Sequence, residues 1–195
     1  MKRVAIGLLS GVLALLLHGC GGNGGVGGGA ELAATDRVLV VRVSDARGGT
    51  PVQGVEVVVV TATGTVPMQR IVAGQPTNFE REVSLSFARA LRNDLRAGDF
   101  LLRRGLNDSD IFRGIYVRVP TGYTAVVRHT FPDGRQRVKQ MPTALRDQPE
   151  CLLASNLAGR VETVFGKVGV YDLGTIELFP NAPQVVPPPV DENCP

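Results

Sequence analysis

The chain contains no tryptophan, two histidines and three cysteines in 195 residues, and aromatic residues make up only 5% of it. His18 lies in an N-terminal segment that we expect to be removed, so the mature chain retains only His129. A single histidine excludes metal sites that are built on several histidines. The motifs H-E-x-x-H, C-x-x-C and G-x-S-x-G are also missing, and with them the minimal parts for zinc or serine hydrolysis. We therefore predict no catalytic residue, no metal site and no cofactor.

A strong excess of charge of either sign is also lacking. The formal net charge is +3, and Lys2 and Arg3 belong to the segment that we expect to be removed, so the mature chain is close to neutral. A nucleic-acid-binding protein needs a concentrated excess of Lys and Arg to displace counterions from phosphates. The composition therefore argues against a nucleic-acid partner.

The N-terminus carries a signal-peptide pattern. Met1, Lys2 and Arg3 give it a positively charged start, and the apolar run 4–17 follows. A helix that spans a bilayer needs about 20 apolar residues, so this run is short for a permanent anchor. An uncleaved membrane helix is the alternative interpretation.

The residues that follow the apolar run point to lipidation. Leu17-His18-Gly19-Cys20 resembles the lipobox of bacterial lipoproteins, although His18 stands where that family usually has a small or aliphatic residue. The resemblance implies cleavage before Cys20 and acylation of this cysteine, which then binds membrane lipid. Two or three acyl chains hold a protein firmly, whereas one binds only marginally. We expect a lipoprotein anchored to the cell membrane, or to the outer membrane if the source is Gram-negative.

Composition then divides the rest of the chain. After the signal peptide 1–19, the glycine-rich segment 20–36 is too poor in apolar side chains to fold and predicts a flexible tether of roughly 20 Å. Val-rich stretches and turn residues favour one all-β domain over 37–180, and a proline-rich tail follows over 181–195.

Three segments of this domain resemble one family. VSDARGGTPVQGVEVVVV (43–60), YVRVPTGYTAVV (116–127) and DLGTIEL (172–178) are similar to the strands and turns of the carboxypeptidase regulatory-like domain. This domain is a transthyretin-like, or prealbumin-like, β-sandwich. The resemblance implies an Ig-like or prealbumin-like β-sandwich for this chain.

The family's central strand-turn-strand motif is missing, and a long segment, about 66–115, replaces it. Alternation of Phe79, Val83, Leu85 and Phe87 predicts a strand, and the spacing around Leu91 predicts a short helix that continues to Arg96. We expect this mixed strand-helix insertion to cover a sheet edge; binding a partner is the alternative.

A hairpin is predicted after this segment, with strands over 123–130 and 135–140 around the turn Phe131-Pro132-Asp133-Gly134. Arg135, Arg137 and Lys139 alternate and so share one face, with Arg118 and Arg128 expected nearby. This cationic stripe is typical of a solvated outer face; anionic lipid or cell-wall polymer is the alternative partner.

Two further groups of polar residues have structural interpretations. Asn107-Asp108-Ser109-Asp110 could supply oxygen ligands to calcium, but it lacks the rest of an EF-hand loop and favours a turn or helix cap. Cys151 and Cys194 remain after Cys20 is assigned to lipid, and export makes a disulfide between them the favoured interpretation over two free thiols.

These features together predict a non-enzymatic envelope lipoprotein, a tethered β-sandwich that acts in adhesion, assembly or structural support, with an envelope protein or glycan as its partner. The alternative is a carbohydrate- or peptide-binding module, whose aromatic platform would have to come from Tyr116, Tyr123, Phe131 and Tyr171. An enzyme that depends on His129 ranks third.

Overall fold

The computed structural model describes residues 37–103 and 105–195, which form two β-sheets packed face to face. Sheet A has seven strands in the order β5-β4-β6-β1-β11-β8-β9, and sheet B has four in the order β10-β7-β2-β3. The prediction of an all-β sandwich with a small helical insertion is confirmed. The strands are β1 Arg37–Asp45, β2 Glu56–Thr61, β3 Thr65–Pro67, β4 Gln69–Val72, β5 Glu82–Ser84, β6 Phe100–Arg103, β7 Ile111–Arg118, β8 Tyr123–Thr130, β9 Gln136–Gln140, β10 Gly159–Arg160 and β11 Gly169–Pro180.

Strand β1 lies in the centre of sheet A. It pairs with β11 in parallel and with β6 antiparallel. Eight of its nine residues are buried, because both of its faces are covered. Its residues Val38–Val41 are therefore an uninterrupted apolar run, as expected for a strand segment without a solvated face.

The main core lies between the two sheets. Leu39, Val41 and Val43 of β1 face Val57 and Val59 of β2 across it, and all five are nearly or fully buried. Neighbouring strands contribute further apolar residues at alternate positions. The second face of β1 carries Val38 and Val40, and the two packing layers follow from the alternation of side chains along a strand.

A small cluster under the helical insertion covers this second face. Helix α1, Leu85–Leu91, places Ala88 against Ile71 of β4 and Leu101 of β6. Ala88 is fully buried, so the helix protects apolar residues of sheet A from water. Within 66–115, β6 and β7 occupy interior positions of the two sheets and thus belong to the sandwich itself.

The boundaries predicted for the strand and helix of this segment were wrong. Helix α1 begins at Leu85, because the Ser84 hydroxyl accepts a hydrogen bond from the backbone N–H of Phe87 and caps the helix. Phe87 therefore lies in the helix and not in the strand. The helix ends at Leu91, and Arg92 is extended with φ −153°. The local capping bond outweighs the alternating pattern.

The segment 141–165 packs on strand β7. It contains two short 3₁₀ helices, Pro149–Cys151 and Ser155–Leu157, and helix α2, Val161–Phe165. Ile115 and Leu153 exchange two backbone hydrogen bonds of 2.8 Å. The rings of Phe112 and Phe165 meet edge to face at 5.1 Å. This covering layer buries β7 further.

One buried carboxylate connects the turn after β1 with the start of β8. Asp45 is 5% exposed and accepts hydrogen bonds from the Tyr123 hydroxyl at 2.9 Å and from the backbone of Arg47 at 2.8 Å. The Arg47 guanidinium beside it holds the pKa of this carboxyl below its usual value. The segments 43–60 and 116–127, which both resemble the family, thus meet in space.

The chain requires a glycine at position 174, where the register between β1 and β11 shifts. Gly174 has φ +92°, and an added Cβ would lie 2.1 Å from the carbonyl oxygen of Thr130. We expect Gly174→Ala to lower the free energy of unfolding by at least about 2 kcal/mol, because strain and a backbone clash combine. Urea unfolding measures this.

Gly134→Ala is the matched control, since Gly134 has φ +85° but no atom within 4 Å of an added Cβ. It should lower the free energy of unfolding by only about 1 kcal/mol, from backbone strain alone. Equal losses in the two variants would show that the contact with Thr130 is unimportant.

Candidate functional site

The C-terminal tail returns along the edge of sheet A. The backbone N–H of Asp191 donates to the Val138 carbonyl at 2.9 Å, and the Asp191 carboxylate accepts from the backbone N–H of Val138 at 2.8 Å. Lys139 and Glu192 form a parallel bridge. The outer edge of β9 is therefore covered by the chain's own tail, which protects it from pairing with another molecule.

A disulfide fixes this tail. Cys151 and Cys194 are bonded, with their Cα atoms 4.7 Å apart and a sequence separation of 43. Cys151 is fully buried at the end of the first 3₁₀ helix. The bond thus joins the layer that covers β7 to the tail that covers β9, and in the chain-entropy model a loop of this length contributes about 4 kcal/mol.

Lys139 lies beside this disulfide with its ammonium group buried. Its Nζ donates to the carbonyl oxygens of Pro149 and Leu152, both at 2.8 Å, and to the Ser155 hydroxyl at 3.4 Å. The Glu192 carboxylate is 2.7 Å away. These oxygens compensate for the loss of water around a buried charge. We call Lys139, Asp191, Glu192 and the two bonded cysteines the tail lock.

The prediction that Lys139 belongs to a cationic stripe on a solvated face was wrong. Lys139 is only 4% exposed. It stands opposite the buried Val127 of β8, and the layer over β7 and the C-terminal tail cover its ammonium group. Arg135 and Arg137 remain exposed, and Arg135 pairs with Asp133 at 2.7 Å.

The other two arginines expected near the stripe are also paired. Arg118 lies 3.5 Å from Glu56, and Arg128 pairs with Glu177. Each cation thus has an acidic neighbour on its own sheet. The predicted stripe is therefore not a continuous cationic surface.

His129 is a core residue. It is fully buried, its ring packs 4.2 Å from that of Phe131, and its Nε2 is hydrogen-bonded to the carbonyl oxygen of Leu173. A carbonyl only accepts, so Nε2 carries the proton. Burial lowers the pKa of His129 below its usual value, and the charge of Lys139 acts in the same direction. The neutral ring is thus built into the sandwich.

The predicted aromatic platform is not assembled. Tyr116 and Phe131 are buried, at 2% and 6% exposure. Tyr123 and Tyr171 are half-buried, and their hydroxyls donate to the Asp45 carboxylate and to the Val168 carbonyl. All four residues pack in or against the core, so they offer no common face to a sugar ring. An exposed aromatic side chain is instead Phe79, at 76% exposure.

The segment Asn107–Asp110 forms a turn. Asp108 pairs with Arg37, and the buried Asp110 accepts hydrogen bonds from the Thr63 hydroxyl and the backbone N–H of Ile111. Among residues 37–103 and 105–195, no three metal-ligating side chains come together. The favoured interpretation of these acidic residues, a structural turn, fits their contacts.

Cys20, the predicted lipid-attachment residue, lies outside the described residues, as do the signal peptide and the tether. Across the described part of the chain, no helix combines the length and apolar character that a membrane span needs. No protein-family model, curated protein or solved structure matches this chain.

Sequence reasoning selected the two cysteines of the tail lock but missed Lys139, Asp191 and Glu192. Asp191 and Glu192 lie three and two positions before Cys194 in an otherwise proline-rich tail. This pair of acidic residues was a usable signal for a nearby cation. Nothing local indicated which lysine or arginine would pair with them.

Loss of the disulfide should loosen the tail. We expect Cys194→Ser to lower the free energy of unfolding by up to about 4 kcal/mol, because the unfolded chain regains the freedom that the bond removes. Urea unfolding with and without a thiol reductant measures this. The reductant should weaken the wild type and leave Cys194→Ser unchanged; a wild type that the reductant does not affect would contradict this role.

Burial of neutral His129 makes stability depend on pH. Its folded pKa is lowered, so the unfolded chain takes up a proton first as the pH falls below about 6.5. The free energy of unfolding should then fall toward acid by up to about 1.4 kcal/mol per pH unit until the folded-state pKa is reached. Urea unfolding between about pH 5 and 8 measures this slope.

The matched variant is His129→Gln, whose amide can still donate to the Leu173 carbonyl but does not titrate. It should remove the slope above about pH 5, where unperturbed carboxylates are already ionised. The same slope in wild type and variant would assign the pH dependence to other groups.

Proposed function

We propose that this protein is a non-enzymatic lipoprotein of the cell envelope. Acylated Cys20 binds the chain to membrane lipid, the segment 20–36 is the tether, and the β-sandwich acts in adhesion, assembly or structural support. In a Gram-negative source the membrane is the outer one. The partner is an envelope protein or glycan.

The observation that carries this proposal is the disulfide between Cys151 and Cys194. Disulfides persist in oxidising compartments and are rare in the cytosol. A bond that closes the tail onto the sandwich therefore agrees with export, which the N-terminal residues predict independently. It also supports a role in which the domain must withstand conditions outside the cell.

The paired surface arginines and the covered edge of sheet A also support a structural role. Arg118, Arg128 and Arg135 each have an acidic partner, and the tail covers the edge of β9. Such a surface resists indiscriminate binding to polyanions and to other sheet edges. The carbohydrate-binding alternative gains no support from Tyr116, Tyr123, Phe131 or Tyr171, whose rings are buried or half-buried.

Lipid labelling tests the proposal. In a bacterial host supplied with labelled palmitate, the wild-type chain should incorporate label, and intact mass should place diacylglycerol on an N-terminal Cys20. Cys20→Ser should lose the label completely, because the sulfur that is acylated is gone. The free energy of unfolding should be unchanged, since Cys20 precedes the sandwich.

Cys194→Ser is the matched control, because it also replaces a cysteine with serine but keeps Cys20. It should retain the label. An unlabelled wild type, or label that persists in Cys20→Ser, would overturn the proposal of a lipid anchor.

A further inference from the structure

A cleft of 410 Å³ opens at the side of the sandwich, between β2 of sheet B and β4 of sheet A. It exists because β3 is short: its pairing with β2 ends at Val58. One more hydrogen bond follows, from the Met68 backbone N–H to the Val57 carbonyl at 2.9 Å. Beyond it, residues 54–56 line the cleft. Its volume falls within the range of about 300–1,000 Å³ that is typical of small-ligand sites.

The cleft has an apolar wall. Val55, Val57, Met68 and Phe100 line it, and each is at most 5% exposed. These side chains come from both sheets and belong to the main core. An apolar group of a ligand that contacts these side chains would be removed from water, which favours binding.

Arg70 brings a positive charge to this wall. It is next to Ile71, whose side chain packs in the cluster under α1, so Arg70 occupies the opposite face of β4. The Arg70 side chain is half-buried and lines the cleft. It forms no hydrogen bond or ion pair with any residue in 37–103 or 105–195.

The environment of Arg70 indicates that its charge is partly withdrawn from water. Burial lowers the pKa of its guanidinium, and the charge of Glu82 opposes this shift. A guanidinium has five N–H donors in a planar fork, and this shape matches a carboxylate. Arg70 thus has donors in reach of the cleft that the described protein does not use.

The acidic groups around the cleft are engaged elsewhere. Glu56 pairs with Arg81 at 3.0 Å and with Arg118 at 3.5 Å. The Glu82 carboxylate accepts from the backbone N–H of Thr77 at 2.7 Å and from its hydroxyl at 3.0 Å. Neither carboxylate is therefore left over to neutralise Arg70 at hydrogen-bond distance.

A second cleft, of 440 Å³, adjoins the first and shares Arg70 and Glu82 with it. Pro51, Ile71 and Gly98 are among the residues that line it. Space is thus open on two sides of β4 near the same guanidinium. A ligand held by Arg70 has room on both sides.

We propose that the cleft binds a small carboxylate ligand with a short apolar group, its carboxylate on Arg70 and its apolar group on Val55, Val57 and Met68. The carboxylate pairs with the guanidinium through two N–H donors. An acyl acid and the carboxyl terminus of a peptide both carry a carboxylate with an apolar group nearby. The site goes beyond the proposed envelope role and does not depend on it.

The full chain in neutral detergent is titrated with matched probes, with binding followed by the amide NMR signals of Val57, Met68 and Arg70. Hexanoate represents an acyl acid and N-acetyl-L-valine a peptide carboxyl terminus. N-acetyl-L-valinamide keeps the apolar group but lacks the charge, and acetate keeps the charge but lacks the apolar group. We expect saturable shifts with at least one of the first two probes and at least tenfold weaker binding of the last two.

Arg70→Met should weaken the binding of the carboxylate probe by about tenfold or more, because a charged hydrogen bond is lost. Arg135→Met is the control, since Arg135 is an exposed arginine on the hairpin at the other edge of sheet A. It should bind as the wild type does. Arg70→Gln provides a polar replacement should the methionine variant not fold.

The better of the two carboxylate probes identifies the source of the ligand, and either result supports the site. Saturable binding of N-acetyl-L-valinamide with the same affinity as N-acetyl-L-valine would overturn the proposal without any variant. So would folded Arg70 variants that bind like the wild type, or no saturable shift with either carboxylate. Loss of lipid labelling in Cys20→Ser leaves these outcomes unchanged, so the two proposals fail separately.

Discussion

The whole sandwich depends on the burial of β1 on both faces. Leu39, Val41 and Val43 need sheet B to cover them, whereas Val38 and Val40 need the cluster under helix α1. Each fully buried side chain of this kind contributes about 1.5–3 kcal/mol. The central position of β1 between β11 and β6 follows from the same requirement, because only a strand with neighbours on both edges can satisfy its backbone while both faces are dry.

Lys139 and Arg70 are both withdrawn from water, but their surroundings differ. Lys139 is surrounded by protein oxygens and by Glu192, so its charge helps to hold the tail on β9. Arg70 lies at the open side of the sandwich, where β3 and β5 are only three residues long. Short edge strands leave a gap between the sheets, and there the guanidinium has no hydrogen-bond or ion-pair partner among residues 37–103 and 105–195. The first cation is structural, and the second is the basis of the proposed carboxylate site.

Much of the fold could be predicted because its signals are local. The predicted hairpin strands 123–130 and 135–140, around the turn Phe131-Pro132-Asp133-Gly134, agree with β8 and β9 to within one residue. The remainder depends on contacts between distant residues. Lys139 shares a face with Arg137, as alternation predicts, but the groups that bury its ammonium are distant in sequence, and Glu192 follows it by 53 residues. The start of α1 was misplaced because the Ser84 cap competes with the alternating pattern. The Arg70 cleft depends on where two sheets end relative to each other, which no local pattern encodes.

The parallel pairing of β1 with β11 has a mechanical consequence. Any pull on the chain ahead of Arg37 acts along the axis of β1, and β1 is held on one side by β11 and on the other by β6. The backbone hydrogen bonds of both ladders run across the direction of this pull and share the load, instead of opening one after another from an end. The chain thus enters the domain along a strand that is paired on both edges, and its extraction requires shearing two ladders at once.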